Sequence, residues 1–131
     1  MSKTVLFTEK APAAGGPYSQ AIRTGGLIFT AGQLGIVPET QHLAGSDIES
    51  QTRQALDNIQ TILETAGSCL ENVVKCTVFL ADIEDFSCMN RIYSEYFAQD
   101  PPARSAVQVA ALGLGALVEI EAIARVDEDD S

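Results

Sequence analysis

An α+β domain with the element order βββαβαββ is read from three features of the chain. They are one capped amphipathic helix, one unbroken apolar run, and a glycine turn between two short strand-like segments. The helix covers residues 47–66. Ser46 and Glu49 form an S-x-x-E capping box, in which each side chain satisfies an orphan backbone N–H. Ile48, Ala55, Leu56, Ile59, Ile62, Leu63 and Ala66 recur at helical spacing and define its apolar face. Gly67 falls where a left-handed residue closes a helix. The run at residues 73–80 is nearly all apolar and β-branched, as in a strand covered on both faces. Segments 18–23 and 27–33 flank Thr24-Gly25-Gly26, a hairpin signal because glycine accepts positive φ.

The remaining elements fall around these. Residues 4–7 read as a first strand, followed by a loop through Gly15-Gly16-Pro17, and a second loop spans residues 35–45. Asp82 caps a second helix whose Phe86, Met89, Tyr93 and Phe97 share one stripe. Pro101-Pro102 ends that region, since proline disfavours helical geometry in the residue before it. Strands at 104–110 and 116–126 follow, joined through Leu112-Gly113-Leu114-Gly115. No linker or repeat divides residues 1–131, so a single domain is expected, with 126–131 as a frayed acidic tail.

Composition narrows the function. The 131 residues carry 8 Lys and Arg against 18 Asp and Glu, a net charge of −10, and are 46% hydrophobic. A folded chain of this length buries roughly 68% of the surface its unfolded form exposes. With no tryptophan and no clustered lysines, it lacks the stacking platforms and the basic groove that nucleic-acid binding requires, so no nucleic-acid partner is expected. One histidine and three cysteines without CxxC spacing argue against a metal site. That histidine, His42, sits in a polar loop and reads as a surface residue. Reduced thiols, an N-terminus without the pattern of a signal peptide and no membrane-length apolar run suggest a soluble cytoplasmic protein with no membrane partner.

Two helices can cover only one face of a sheet this size, yet the strands carry apolar residues for both. An exposed apolar face of that extent marks an interface, which predicts a closed homo-oligomer packing sheet against sheet.

The segment Pro101-Pro102-Ala103-Arg104-Ser105-Ala106-Val107 carries the clearest chemistry. Paired prolines restrict the backbone before Arg104. In the last strand Glu119 and Glu121 share one face amid hydrophobic neighbours and need donors or a cation. If the last two strands form a hairpin, Arg104 lies opposite Glu121 and Ala106 opposite Glu119. A slip of one residue sends the charges to opposite faces. Two readings stay open: a structural Arg104–Glu ion pair, or a site in which the planar guanidinium binds a small organic acid.

Several motifs, in order along almost the whole chain, resemble the RidA/YjgF family of enamine/imine deaminases, also called the L-PSP endoribonuclease family. They are Ala13-Ala14-Gly15-Gly16-Pro17-Tyr18-Ser19-Gln20-Ala21, Phe29-Thr30-Ala31-Gly32-Gln33, Gln51-Thr52-Arg53-Gln54-Ala55-Leu56-Asp57-Asn58-Ile59, Val74-Lys75-Cys76-Thr77-Val78-Phe79-Leu80, Met89-Asn90-Arg91-Ile92-Tyr93 and the two C-terminal segments. The resemblance implies a chorismate-mutase-like fold, a homotrimer with sites between subunits, and cofactor-free hydrolysis of 2-imino acids such as 2-iminobutanoate and 2-iminopropanoate to 2-oxo acids and ammonia. It implies that Arg104 grips the substrate carboxylate and that Glu119 holds the attacking water, with Glu121 the less favoured neighbour. Tyr18, Gly32, Asn90 and the backbone N–H of Ala106 would contact substrate. Each has a plainer reading: Tyr18 as a packing residue, Gly32 as relief for a crowded strand, Asn90 as a local cap. Many relatives carry cysteine where this chain has Ala106, so a thiol mechanism there is excluded. Ala31 likewise lacks a hydroxyl that some relatives carry. A non-catalytic carboxylate binder or sensor on the same scaffold is the second reading, and an RNA-acting translation inhibitor the third.

Overall fold

Apolar alternation along the strands and a 3.6-residue apolar stripe on each helix converge on one layer of helices over one sheet. The computed structural model describes residues 2–126; the acidic run at 127–131, read above as a frayed tail, lies outside the described residues. The strands are β1 (Thr4–Leu6), β2 (Ala21–Thr24), β3 (Leu27–Thr30), β4 (Gln33–Leu34), β5 (Ile36–Val37), β6 (His42–Leu43), β7 (Val73–Leu80), β8 (Ala103–Gln108) and β9 (Val118–Arg125). Two helices, α1 (Ile48–Thr65) and α2 (Phe86–Tyr96), complete the layer. The α+β assignment, with a mixed sheet and both helices on one face, is what the structure shows.

The main sheet has the order β1-β2-β3-β9-β7-β8, and β4 extends the β3 edge by pairing with the first half of β9. All pairings are antiparallel except β7 with β8, which α2 joins as a crossover. Its helix-side face presents Ile28, Cys76, Val78, Leu80, Val118, Ile120, Ala122 and Ala124 to Leu56, Ile59, Leu63 and Met89, all buried. Among the described residues the other face carries no helix. Val5, Phe29 and Val107 on it are 59%, 38% and 44% exposed, so it is an apolar surface left open in the protomer.

The helix ends follow local chemistry. Asp47, one residue past the expected cap, closes α1: its carboxylate accepts from the Ser50 N–H at 3.0 Å, and Ser50 Oγ donates back at 2.5 Å. Aspartate at this position carries a full negative charge into the helix dipole, which favours it over Ser46. The far end is as expected. Gly67 adopts φ +84°, while its N–H and that of Ser68 donate to the carbonyls of Glu64 and Leu63.

Three sequence expectations are corrected. The strand expected at 18–23 begins only at Ala21, leaving Tyr18 in the preceding bend. The run at 27–33 breaks into β3 and β4 around Ala31-Gly32. At that break Thr30 Oγ accepts the Ala122 N–H at 3.0 Å in place of a ladder bond. The third correction matters most for the site: β8 and β9 form no hairpin. Residues 109–117 cross the end of β7, where the Val109 N–H donates to the Leu80 carbonyl and the Ala81 N–H to that of Leu117. β7 therefore lies between them, because an apolar strand gains most when both its edges are paired and one face is buried.

Candidate functional site

Arg104 pairs with Cys76 on β7, which in turn pairs with Ala122 on β9, so its side chain rises on the helix side of the sheet. Glu119 stands three residues from Ala122 and therefore faces the open side, in a row with Phe79 and Val107. The proposed pairings of Arg104 with Glu121 and of Ala106 with Glu119 are thus overturned. Both glutamates are two strands away, about 10 Å across the sheet, and on the other face.

Two separate clusters result. On the helix side, Arg104 Nη1 donates to Asn90 Oδ1 at 2.6 Å, from a residue one turn after Phe86 on α2. The guanidinium carbon lies 4.7 Å from the Tyr93 ring centroid and 5.4 Å from that of Phe86. Beside it opens a cavity of about 560 Å³ walled by Asn90, Arg91, Tyr93, Phe97 and Pro102. Among the described residues, the ion pairs join Arg53 to Glu49 and Glu95, and Arg91 to Glu49; Arg104 is in none of them. Among the described residues of the protomer Arg104 therefore has no carboxylate partner, and its side-chain hydrogen bond goes to Asn90.

At the β4 edge, Tyr18, Ala31, Gly32, Leu34 and Glu119 line a second hollow of about 360 Å³. Gly32 makes room there: a Cβ on it would fall on the Glu119 carboxylate, which would have to move aside. Tyr18 is 55% exposed, and its hydroxyl accepts the Gly15 N–H at 3.1 Å, fixing the loop against the hollow. Gln20 braces that loop from beneath. Its amide donates to the Thr8 and Pro12 carbonyls at 3.0 and 2.9 Å, and its oxygen accepts the Thr8 N–H at 2.8 Å. Burial, with the Glu121 carboxylate as a second cause, pushes the Glu119 carboxyl above its ordinary value.

The structure thus brings Tyr18, Gly32 and Glu119 together, and separately Asn90 and Arg104. Ala106 lies beside Val78 on β8, half-buried against the core and in neither hollow. His42 is exposed on the short β5–β6 hairpin. Sequence reasoning missed Phe86 and Tyr93 as ring neighbours of Arg104. The signal was present: positions 86, 90 and 93 share one helix face. No helix among the described residues is long and apolar enough to cross a membrane.

A helix-backed mixed sheet, with an arginine unpaired by any carboxylate among the described residues on one face and a half-buried glutamate on the other, is an α+β domain with two side-chain-lined hollows. Its relatives place it further. Residues 8–126 match the family model described as Endoribonuclease L-PSP, and the chain belongs to the RidA/YjgF family. It is 54% identical to a RutC family protein of Pyrococcus abyssi, over 95% of this chain and 98% of that one. It is 51% identical to the 2-iminobutanoate/2-iminopropanoate deaminase of Capra hircus, over 93% of this chain and 89% of the relative. Among solved structures, Escherichia coli TdcF with bound serine superposes with a TM-score of 0.90 at 37% identity, covering 95% of this chain and 99% of that one.

Proposed function

We propose that the protein hydrolyses 2-imino acids, such as 2-iminobutanoate and 2-iminopropanoate, to 2-oxo acids and ammonia. The reaction takes place at sites formed where two protomers of a homotrimer meet. The observation that carries this reading is the state of Arg104: a half-buried guanidinium beside a cavity, anchored by a neutral amide and paired with no carboxylate among the described residues. Such a group is arranged to receive a carboxylate from outside the protomer. Bidentate Arg–carboxylate pairing supplies orientation as well as affinity, with charged hydrogen bonds worth about 1.5–3 kcal/mol each. The names of relatives at about half identity support the imine class, and a serine-bound relative supports an amino-acid-like ligand.

In this mechanism Arg104 fixes the carboxylate so that the imine carbon faces water held by the Glu119 of the adjoining protomer. Glu119 accepts a proton as the water oxygen bonds to that carbon and passes it to the imine nitrogen as the C=N π pair moves there, giving a carbinolamine. It then takes the carbinolamine hydroxyl proton and delivers it to nitrogen; the C=O bond forms as the C–N bond breaks, ammonia leaves and the 2-oxo acid remains. A carboxylate with a raised pKa is a stronger base at neutral pH than an ordinary one. The open apolar sheet face supports association, and the separation of Arg104 from Glu119 supports a shared site. A net charge of −10 and the scattered lysines weigh against an RNA substrate.

The test generates the imine in situ from threonine with a pyridoxal-phosphate dehydratase and follows 2-oxobutanoate release. Wild type accelerates release over the uncatalysed rate, and Arg104→Ala does not while retaining its assembly state. Equal acceleration by both proteins rejects the assignment.

A further inference from the structure

We infer that Phe86 and Tyr93 form an aromatic clamp that sets the orientation, and hence the carboxylate affinity, of the Arg104 guanidinium; this rests on the reading of Arg104 as the substrate-carboxylate anchor. Two ring centroids lie within 5.4 Å of one guanidinium carbon, at 4.7 Å for Tyr93 and 5.4 Å for Phe86. Both distances are inside the range in which a cation is attracted to a ring's negative face. The Tyr93 ring is itself wedged, with its centroid 4.7 Å from that of Phe97, and its residue is 5% exposed, so it cannot swing away from the arginine. Asn90 Oδ1 takes one N–H at 2.6 Å. The hydrogen bond fixes one corner of the guanidinium plane, and the rings limit its rotation about that corner. An arginine has five N–H donors in a rigid fork. The hold by Asn90 and the rings leaves the outer donors for a ligand in the adjoining cavity.

The arrangement also solves an electrostatic problem. A half-buried cation beside a buried sheet needs compensation, but a carboxylate partner would occupy the donors the ligand uses. Ring faces offset the charge without taking an N–H. Phe86 and Tyr93 are therefore positioning residues: they touch the arginine, and the arginine touches the substrate. Their placement at i and i+7 around Asn90 explains why one face of α2 carries the whole hold on Arg104.

The experiment measures binding of 2-oxobutanoate by calorimetry, together with side-chain nitrogen NMR of the arginine guanidinium groups. Phe86→Leu, which keeps apolar bulk and loses the ring, is expected to weaken binding roughly fivefold. It should also speed rotation of the Arg104 guanidinium while leaving that of the exposed Arg23 as it was. Phe86→Tyr, which restores a ring, should recover most of the affinity. The clamp is overturned if Phe86→Leu binds like wild type, or if Phe86→Tyr and Phe86→Leu are equally impaired, since volume alone would then matter. If Phe86→Leu does not fold, wild type still decides: Arg104 must rotate more slowly than the exposed Arg23, and equal rotation rejects the clamp. Arg104-dependent binding without imine hydrolysis sinks the enzyme reading and leaves the clamp standing. Hydrolysis with an unaltered Phe86→Leu does the reverse.

Discussion

Glu119 meets two demands that pull against each other. In the proposed role of base it must ionise, yet it sits half-buried on an apolar sheet face, two residues from Glu121 on the same side. Burial is the larger cause of its raised pKa and the Glu121 charge the smaller. The consequence for pH follows by sign. If the ionised form accepts the proton of water, imine hydrolysis falls as pH drops through the elevated Glu119 pKa. Glu121→Gln removes the like charge, makes ionisation easier and moves that acid limb to lower pH. The limb still stays above the position of an ordinary carboxylate, because desolvation remains. A pH–rate profile of the two proteins checks this; an unmoved limb removes Glu119 from the base role. Gly32 belongs to the same balance. Its missing side chain is the space the Glu119 carboxylate occupies, so Gly32→Ala must displace the carboxylate. Imine turnover should fall by an order of magnitude or more, the scale of losing a placed general base. Circular dichroism should be unchanged.

At the scale of elements, what could be read from the sequence depended on how local the determining interaction is. The apolar stripe of α1 and its glycine stop involve residues a few positions apart, and both are where the pattern puts them. Gly67 makes this quantitative: at φ +84° an alanine is strained, so Gly67→Ala is expected to cost about 1–2 kcal/mol. Urea unfolding at one fixed protein concentration measures it, and a loss under 0.3 kcal/mol would show that the left-handed turn is not sustained in solution. The cap was harder, since Ser46-x-x-Glu49 and Asp47-x-x-Ser50 differ by one residue and only the geometry selects Asp47. Strand pairing was not legible. Nothing within residues 104–121 says that β7, some thirty residues upstream, will slide between β8 and β9. Yet the unbroken apolar run of β7 already marked it as interior. Joining that fact to the crossover through α2 would have ruled out the hairpin. The same non-local step separates Arg104 and Asn90 from Tyr18, Gly32 and Glu119. The residues by themselves named Arg104 and Glu119, and the family resemblance added Tyr18, Gly32 and Asn90, but the hairpin register placed the charges side by side in one chain.

The whole molecule turns that separation into a prediction. Arg104 and Glu119 face opposite sides of one sheet, while the helix-free face exposes Val5, Phe29 and Val107. If association through that face brings one protomer's Arg104 to its neighbour's Glu119, each site needs a sound arginine from one chain and a sound glutamate from the next. Arg104→Ala and Glu119→Gln are then each inactive alone. Unfolded together in equal amounts and refolded, they assemble at random. A given site receives the intact arginine in half the cases and the intact glutamate independently in half, so about a quarter of wild-type activity returns, whatever the number of chains in a closed ring. A site within one protomer returns none, because every chain then carries a defect. Phe29→Asp places a charge on the apolar face and should release monomers in sedimentation. With it built into both variants, the recovered quarter should vanish, which ties the restored activity to the interface rather than to either residue alone.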